Sequence, residues 1–179
     1  MARLDRTGGQ LAVLFVDLDD FKHVNDSLGH TVGDELLVAI SDRLARNLRS
    51  SDTAARLGGD EFAVLIEDLD DEAQAIAVAE RIVASLREPV TLAAKPVTIS
   101  ASVGIAFGRA RLGLDSDALL RNADLAMYTA KARGKSCYRV FAPEMHLAAV
   151  ERLEVETCLR GAARRGELGP PERAQPQQQ

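Results

Sequence analysis

The apolar positions of this chain fall into blocks with two different periods. Gln10 to Leu18 (QLAVLFVDL) is almost continuously apolar, the pattern of a strand covered on both faces. From Gly33 to Arg49 the apolar residues are Leu36, Leu37, Ile40, Leu44 and Leu48, which is helical spacing, with Asp34 and Glu35 near its positive end. Arg56 to Ile66 (RLGGDEFAVLI) holds two short apolar segments around Gly58-Gly59, the signature of a hairpin turn. An acidic run, Glu67 to Glu72, opens the next helix, whose Ile76, Ala79, Val83 and Leu86 share a face before Pro89 stops it. Pro96 to Phe107 (PVTISASVGIAF) alternates and is β-branched, which predicts one long strand. Ser116 is placed to cap a helix carrying Leu120, Ala123, Met127 and Ala130 and ending at Gly134.

Cys137 to Phe141 predicts a short last strand, and Pro143 opens a helix running to about Arg165. The stretch from Gly169 to Gln179 is rich in Pro and Gln and reads as disordered. Strands and helices alternate around a central hairpin, with no internal repeat. The expected fold class is α+β, a mixed sheet flanked by helices.

Composition narrows the function. The 46% hydrophobic and 27% charged fractions are those of a globular domain, and the chain needs no disulfide or metal staple at 179 residues. With aromatics at 4% and no Trp, the core must be aliphatic. A net charge of −5 and the lack of a basic stripe argue against a nucleic-acid partner, though not against a mononucleotide held by a few cations. Cys137 and Cys158 have no metal-ligand spacing and read as reduced thiols. No window nears the ~18 apolar residues of a membrane span, and the first residues lack a signal-peptide core, so the cytoplasm is the default location.

Two acidic clusters end apolar segments: Asp17-Leu-Asp-Asp20 and Asp60-Glu61. Carboxylates at strand ends and hairpin tips can converge on a hard cation and leave positions open for phosphate oxygens. Either cluster by itself is equally ordinary turn chemistry. Spacing removes three rivals. An EF-hand loop from Asp17 would need an acidic or amide residue at Phe21 and glycine at Lys22. A phosphate-binding loop ending at Gly134-Lys135-Ser136 would need glycine at Thr129 and a preceding strand. No G-x-G-x-x-G is present.

Read in order, the segments are more specific. Phe15-Val-Asp-Leu-Asp-Asp-Phe-Lys22, Asn25-Asp26, Gly29-His30, Gly33-Asp34, Arg56-Leu-Gly-Gly-Asp-Glu-Phe62, Ser102-Val-Gly-Ile105 and Ala123-Asp-Leu-Ala-Met-Tyr-Thr-Ala-Lys131 follow one another. This series resembles the GGDEF family of diguanylate cyclases and covers about residues 11 to 141. The resemblance implies a nucleotidyl cyclase (palm-like) architecture with a mostly antiparallel sheet, and the condensation of two GTP molecules into cyclic di-GMP with Mg²⁺. Asp17, Asp60 and the backbone carbonyl of Leu18 are the implied metal ligands. Asp60, Glu61 and Lys22 are the implied catalytic residues: acidic groups for metal and proton, and a cation for the phosphates. Phe21 marks a turn whose amides meet phosphate. Asn25 and Asp34 are the implied readers of guanine, where a carboxylate accepts from N1–H and the exocyclic amine. Leu37 either lines the base pocket or simply packs in the core. Lys131 and Lys135 are expected at the terminal phosphates; many family members carry arginine at the second place, whose two-pronged grip a lysine lacks. His23, His30 and His146 show no metal or triad spacing.

Arg49-Ser-Ser-Asp52 resembles the RxxD site at which such cyclases bind their product, with Arg81 as a further contact. Each cyclase domain has one nucleotide site, so a homodimer is implied for catalysis. The chain begins after the place where the family has a D-x-L-T-x-L-x-N-R helix, a segment expected to cover part of the sheet. Residues 143–168, with Glu151-Arg-Leu-Glu154, resemble the connector into an EAL phosphodiesterase domain. The expected organisation is therefore a cyclase domain over 1–142, a helical connector over 143–168 and a disordered tail over 169–179. A longer parent bearing a sensor or EAL domain is also expected. The competing expectation is a catalytically silent module that binds GTP or cyclic di-GMP and regulates a partner domain.

Overall fold

The computed structural model describes residues 9–92, 95–109 and 115–165. The apolar run becomes strand β1 (Gln10–Asp19), the centre of a five-stranded sheet. Helices α1 (Phe21–Leu28) and α2 (His30–Arg46) follow, then the hairpin β2 (Thr53–Gly58) and β3 (Glu61–Leu69), and helix α3 (Glu72–Leu86). Strands β4 (Val90–Leu92) and β5 (Lys95–Val97) pair with each other in a separate small sheet. Strand β6 (Ser100–Arg109), helix α4 (Ser116–Ala132) and strand β7 (Tyr138–Val140) complete the first unit. The main sheet has the order β2-β3-β1-β6-β7, antiparallel except for the parallel pair β6–β7, so it is mixed and mostly antiparallel as expected.

The chain divides into two compact units, Met1–Ala142 and Pro143–Gln179. In the second, helix α5 (Glu144–Arg164) is the described element, with Leu147, Val150, Val155 and Leu159 exposed along it. The expected disordered tail, the end of the expected connector and the residues preceding Gly9 lie outside the described residues.

Strand β1 is buried on both faces because helices cover both. Its even-numbered side chains, Ala12, Leu14, Val16 and Leu18, join α2 and α3 residues such as Leu36, Ile40, Leu44, Ala79 and Ile82. Its odd-numbered Leu11, Val13 and Phe15 pack with Ala106 of β6 and with Leu119, Ala123 and Met127 of α4. The alternation dictated by the pleat thus assigns Asp17 and Asp19 to the α4 face.

The structure corrects the sequence reading in four places. The segment from Phe21, expected as a turn, is helical: Asp20 adopts a left-handed conformation (φ 60°) and α1 starts immediately after it. Gly29, at φ 86°, then separates α1 from α2, so α2 begins at His30 rather than at Gly33. The predicted long strand from Pro96 is two strands, because Lys95–Val97 leaves the main sheet to pair with β4. The cap of α4 is Asp115, whose carboxylate accepts from the Asp117 and Ala118 amides, rather than Ser116.

Candidate active site

Strand register brings the two acidic clusters together. Asp17 lies opposite Glu61 in the β1–β3 pairing, and the Leu18 amide donates to the Asp60 carbonyl at 3.2 Å. Directly opposed side chains share a face and are close neighbours, and two like charges there are unfavourable unless a cation sits between them. Gly59 turns the hairpin with φ 52°, and the Arg56 Nε donates to its carbonyl at 2.9 Å, fixing the tip that carries Asp60.

Asp17 is only 5% exposed. Burial holds its carboxyl above the usual carboxylate range; the Lys131 ammonium opposes this shift, and the charges of Asp60 and Glu61 add to it. Lys131, in the last turn of α4, puts its Nζ 2.6 Å from Asp17 Oδ1. An ammonium ion therefore stands where the carboxylates call for a cation. Among the described residues no three His, Cys, Asp or Glu side chains form a cage by themselves. Magnesium is usually held by one or two carboxylates and completed by waters and substrate phosphates. The Asp17 and Asp60 carboxylates with the strand-end carbonyl of Leu18 are a donor set of the kind that ion takes.

The cluster 17–20 splits by conformation. Asp19 is buried and accepts from Ser100 Oγ and Ser102 Oγ, each at 2.7 Å, and from the Ser136 amide at 2.9 Å. Asp20 is exposed and pairs with Lys135 Nζ at 2.6 Å, a contact that lowers its carboxyl and raises the lysine. Lys131 and Lys135, four residues apart, thus stand over Asp17 and Asp20, at the same end of β1.

Helices α1 and α2 frame a second region. Asn25 Oδ1 is buried without a hydrogen-bond partner. It reaches Gly33 so closely that a Cβ there would lie 1.9 Å from it, and the Phe21 ring would be 3.4 Å away. A side chain at 33 would have to displace the end of the Asn25 side chain, so glycine is what lets the amide come this close. Asp34, next along α2, is exposed. Leu37 is 4% exposed and belongs to the core cluster under α2. Lys22 is exposed in the first turn of α1, a helix start without a side-chain cap.

The RxxD segment lies outside regular structure, three residues beyond the end of α2. Asp52 closes a tight turn: its carboxylate accepts from the Arg49 amide at 2.9 Å, and its own amide donates to the Arg49 carbonyl at 3.0 Å. Arg49 is exposed, and Arg81 reaches from α3 to donate to the Asn47 carbonyl at 2.9 Å. Arg81 is thus anchored at Asn47, the C-terminal end of α2, two residues before Arg49 in the chain.

The sequence reading missed the contacts of Asp19 with its serines and the two lysine–aspartate pairs. Ser100 and Ser102, polar residues two apart in an apolar strand, were the available signal. Their partners, Asp19 and Asp17 in the β1–β6 register, were not.

The family model described as diguanylate cyclase, GGDEF domain, matches residues 1–137. A bifunctional diguanylate cyclase/cyclic di-GMP phosphodiesterase of Pseudomonas aeruginosa, MucR, is 44% identical over 163 residues, 91% of this chain. The chain spans 24% of that protein's length. The solved GGDEF domain of TpbB (YfiN) from the same species superposes with a TM-score of 0.75 at 41% identity, covering 82% of this chain and 88% of that one. An EAL/GGDEF domain protein from M. capsulatus superposes at 0.71 with 45% identity, over 77% of this chain and 88% of that one. Among the described residues no helix is long and apolar enough to cross a membrane.

Proposed function

The chain belongs to the GGDEF family of diguanylate cyclase domains, and on that premise we propose that it condenses two GTP molecules into cyclic di-GMP and two pyrophosphates. The observation that carries the reading is Asp17 opposite Glu61 and beside Asp60, a set of carboxylates whose buried member is met by an ammonium ion. Asp17, Asp60 and the Leu18 carbonyl would hold Mg²⁺. The bound ion supplies charge neutralisation for the triphosphate and for the α-phosphorus under attack.

The residues of the chain do the rest. Lys131 and Lys135 exchange their aspartates for the terminal phosphates once those carboxylates are otherwise engaged. Lys22 and the first amides of α1 meet phosphate oxygens at a helix start, where negative charge is favoured. Each 3′-hydroxyl attacks the α-phosphorus of the other GTP, forming a P–O3′ bond as the bond to pyrophosphate breaks. Asp60, with Glu61 as its acidic neighbour, takes the hydroxyl proton. Two loaded protomers must face each other, so the active form is a homodimer. Within a longer parent, α5 leads toward a phosphodiesterase or sensor domain, and the reaction takes place in the cytoplasm.

The direct test is incubation of the purified chain with GTP and Mg²⁺, with cyclic di-GMP and pyrophosphate resolved by chromatography. Product in equal amounts to half the pyrophosphate is expected. GTP binding without product would replace the enzyme by a regulatory nucleotide-binding module.

Guanine recognition rests on Asn25, whose buried oxygen lacks a partner, and on exposed Asp34 beside Gly33. Asp34→Ala should narrow the preference for GTP over ATP by roughly 10–100-fold, because a lost charged hydrogen-bond pair is worth a few kcal/mol. Competition binding of the two nucleotides measures this, and an unchanged ratio would leave Asp34 as an exposed residue of α2 with no part in base recognition.

The arginines at the end of α2 suggest a product site apart from the substrate. Arg49→Ala should weaken cyclic di-GMP binding by ~1–3 kcal/mol, the worth of a two-pronged contact to guanine. GTP affinity should hold, since Asp17, Asp60 and Lys131 are untouched. Calorimetric titration of both ligands separates the outcomes: equal losses mean a damaged fold, and no loss makes the RxxD match coincidental.

A further inference from the structure

The loop between α4 and β7 is held in an unfavourable backbone conformation. Helix α4 ends in a Schellman motif: the Lys135 amide donates to the Ala130 carbonyl, the Gly134 amide to Lys131, and Gly134 takes φ 113°. The next two residues continue with positive φ, 63° at Lys135 and 51° at Ser136. Neither is glycine, and successive left-handed residues of this kind persist only where surrounding structure forces them.

What forces them is visible at Ser136. Its amide donates to the buried Asp19 carboxylate at 2.9 Å. From the other side, the Arg87 guanidinium at the end of α3 donates to the Ser136 hydroxyl at 2.8 Å and to its carbonyl at 2.5 Å. Asp19 is itself fixed by Ser100 and Ser102 of β6. A buried carboxylate is costly unless fully satisfied. Here its bonds run to two hydroxyls and an amide, so its oxygens are turned toward the loop and β6. An apolar residue would complete this part of the α4 face without that cost. Lys135, the residue before Ser136, stands 2.6 Å from Asp20, alongside Lys131 on Asp17.

We propose that Asp19 is a positioning residue: through the Ser136 amide, and with Arg87 as the outer half of the clamp, it fixes the strained loop that presents Lys135 to the terminal phosphates of the nucleotide. This rests on the reading of Lys131 and Lys135 as triphosphate ligands. Freed from the clamp, the loop relaxes toward ordinary backbone angles, and Lys135 loses its place while the base and metal groups keep theirs.

The test compares Asp19→Ala, Asp19→Asn and Arg87→Ala in the full chain, with two measurements. Hydrogen exchange of the ligand-free protein should rise across residues 133–137 in Asp19→Ala and Arg87→Ala, with β1 protection retained. Titration with a non-hydrolysable GTP analogue should show about tenfold weaker binding, and GMP, which lacks the terminal phosphates, less than about a twofold change. Asp19→Asn, still able to accept from the Ser136 amide, should fall between wild type and Asp19→Ala. Equal losses for both nucleotides, or unchanged exchange in the loop, overturn the proposal. If Asp19→Ala does not fold, Arg87→Ala, an exposed site, decides the question by the same criteria. Loosened exchange in a chain whose wild type binds neither nucleotide upholds the anchor and refutes the GTP reading instead.

Discussion

Asp60→Ala should lower cyclic di-GMP formation on the order of 10³-fold, the scale on which removal of a group stabilising transition-state charge is felt. Asp60 sits at the tip of the β2–β3 hairpin, half-buried, and its backbone carbonyl, which receives the Leu18 amide, survives the substitution. Nothing in the core is disturbed. The charge of Asp60 is one of the groups pushing the Asp17 carboxyl upward, so its removal relieves a repulsion in the metal-free protein. The melting temperature without magnesium should therefore stay level or rise slightly, within roughly 2 °C. The stabilisation conferred by adding magnesium should shrink, because a ligand has gone. Chromatographic assay and paired melting curves with and without the ion measure both effects. Turnover near the wild-type rate in this variant would remove Asp60 from the metal and from the reaction.

The elements legible in the sequence were those whose pattern is local. β1 is a continuous apolar run, the hairpin is punctuated by Gly58-Gly59, and α3 and α4 carry periodic faces with a stop at Pro89 or Gly134. Helix α1 was hidden because its eight residues hold a single buried side chain, Phe21, too few to display a period. The division of Pro96–Phe107 was hidden because both pieces are β-strands; only the partner of Lys95–Val97 differs. The site followed the same rule. Asp17 and Asp60-Glu61 could be read as acidic ends of apolar strands, and the family series joined them. The separate fates of Asp19 and Asp20 depend on the β1–β6 register, on the left-handed turn at Asp20 and on a loop whose Lys135 lies 115 residues from Asp20 in sequence. Contacts of that kind leave no periodic trace.

Gly104 gives the sharpest prediction about the fold, and it bears on the same site. In the β6 pleat the even-numbered residues face α4, as Ala106 does, and at Gly104 the helix comes down directly onto the strand. A Cβ there would lie 1.9 Å from the Ala123 carbonyl oxygen, 2.2 Å from the Met127 amide nitrogen and 2.9 Å from the Ala126 carbonyl carbon. All three are backbone atoms of α4, so no rotamer change can make room and the helix itself must move. Overpacking of this sort costs about 3 kcal/mol or more. For a domain of this size Gly104→Ala should then lower the melting temperature by roughly 10 °C. Gly58→Ala is the matched control, since a Cβ there meets nothing within 4 Å, and it should cost little. The displacement also carries a chemical consequence. Lys131 is four residues along α4 from Met127, and its ammonium lies 2.6 Å from the buried Asp17 carboxylate. A helix pushed off β6 withdraws that cation, so GTP binding should weaken in Gly104→Ala even at temperatures where the protein remains folded. Melting curves on both variants, with nucleotide titration well below the transition, measure the two effects. A Gly104→Ala protein as stable as Gly58→Ala would mean that α4 does not rest on β6 at this point.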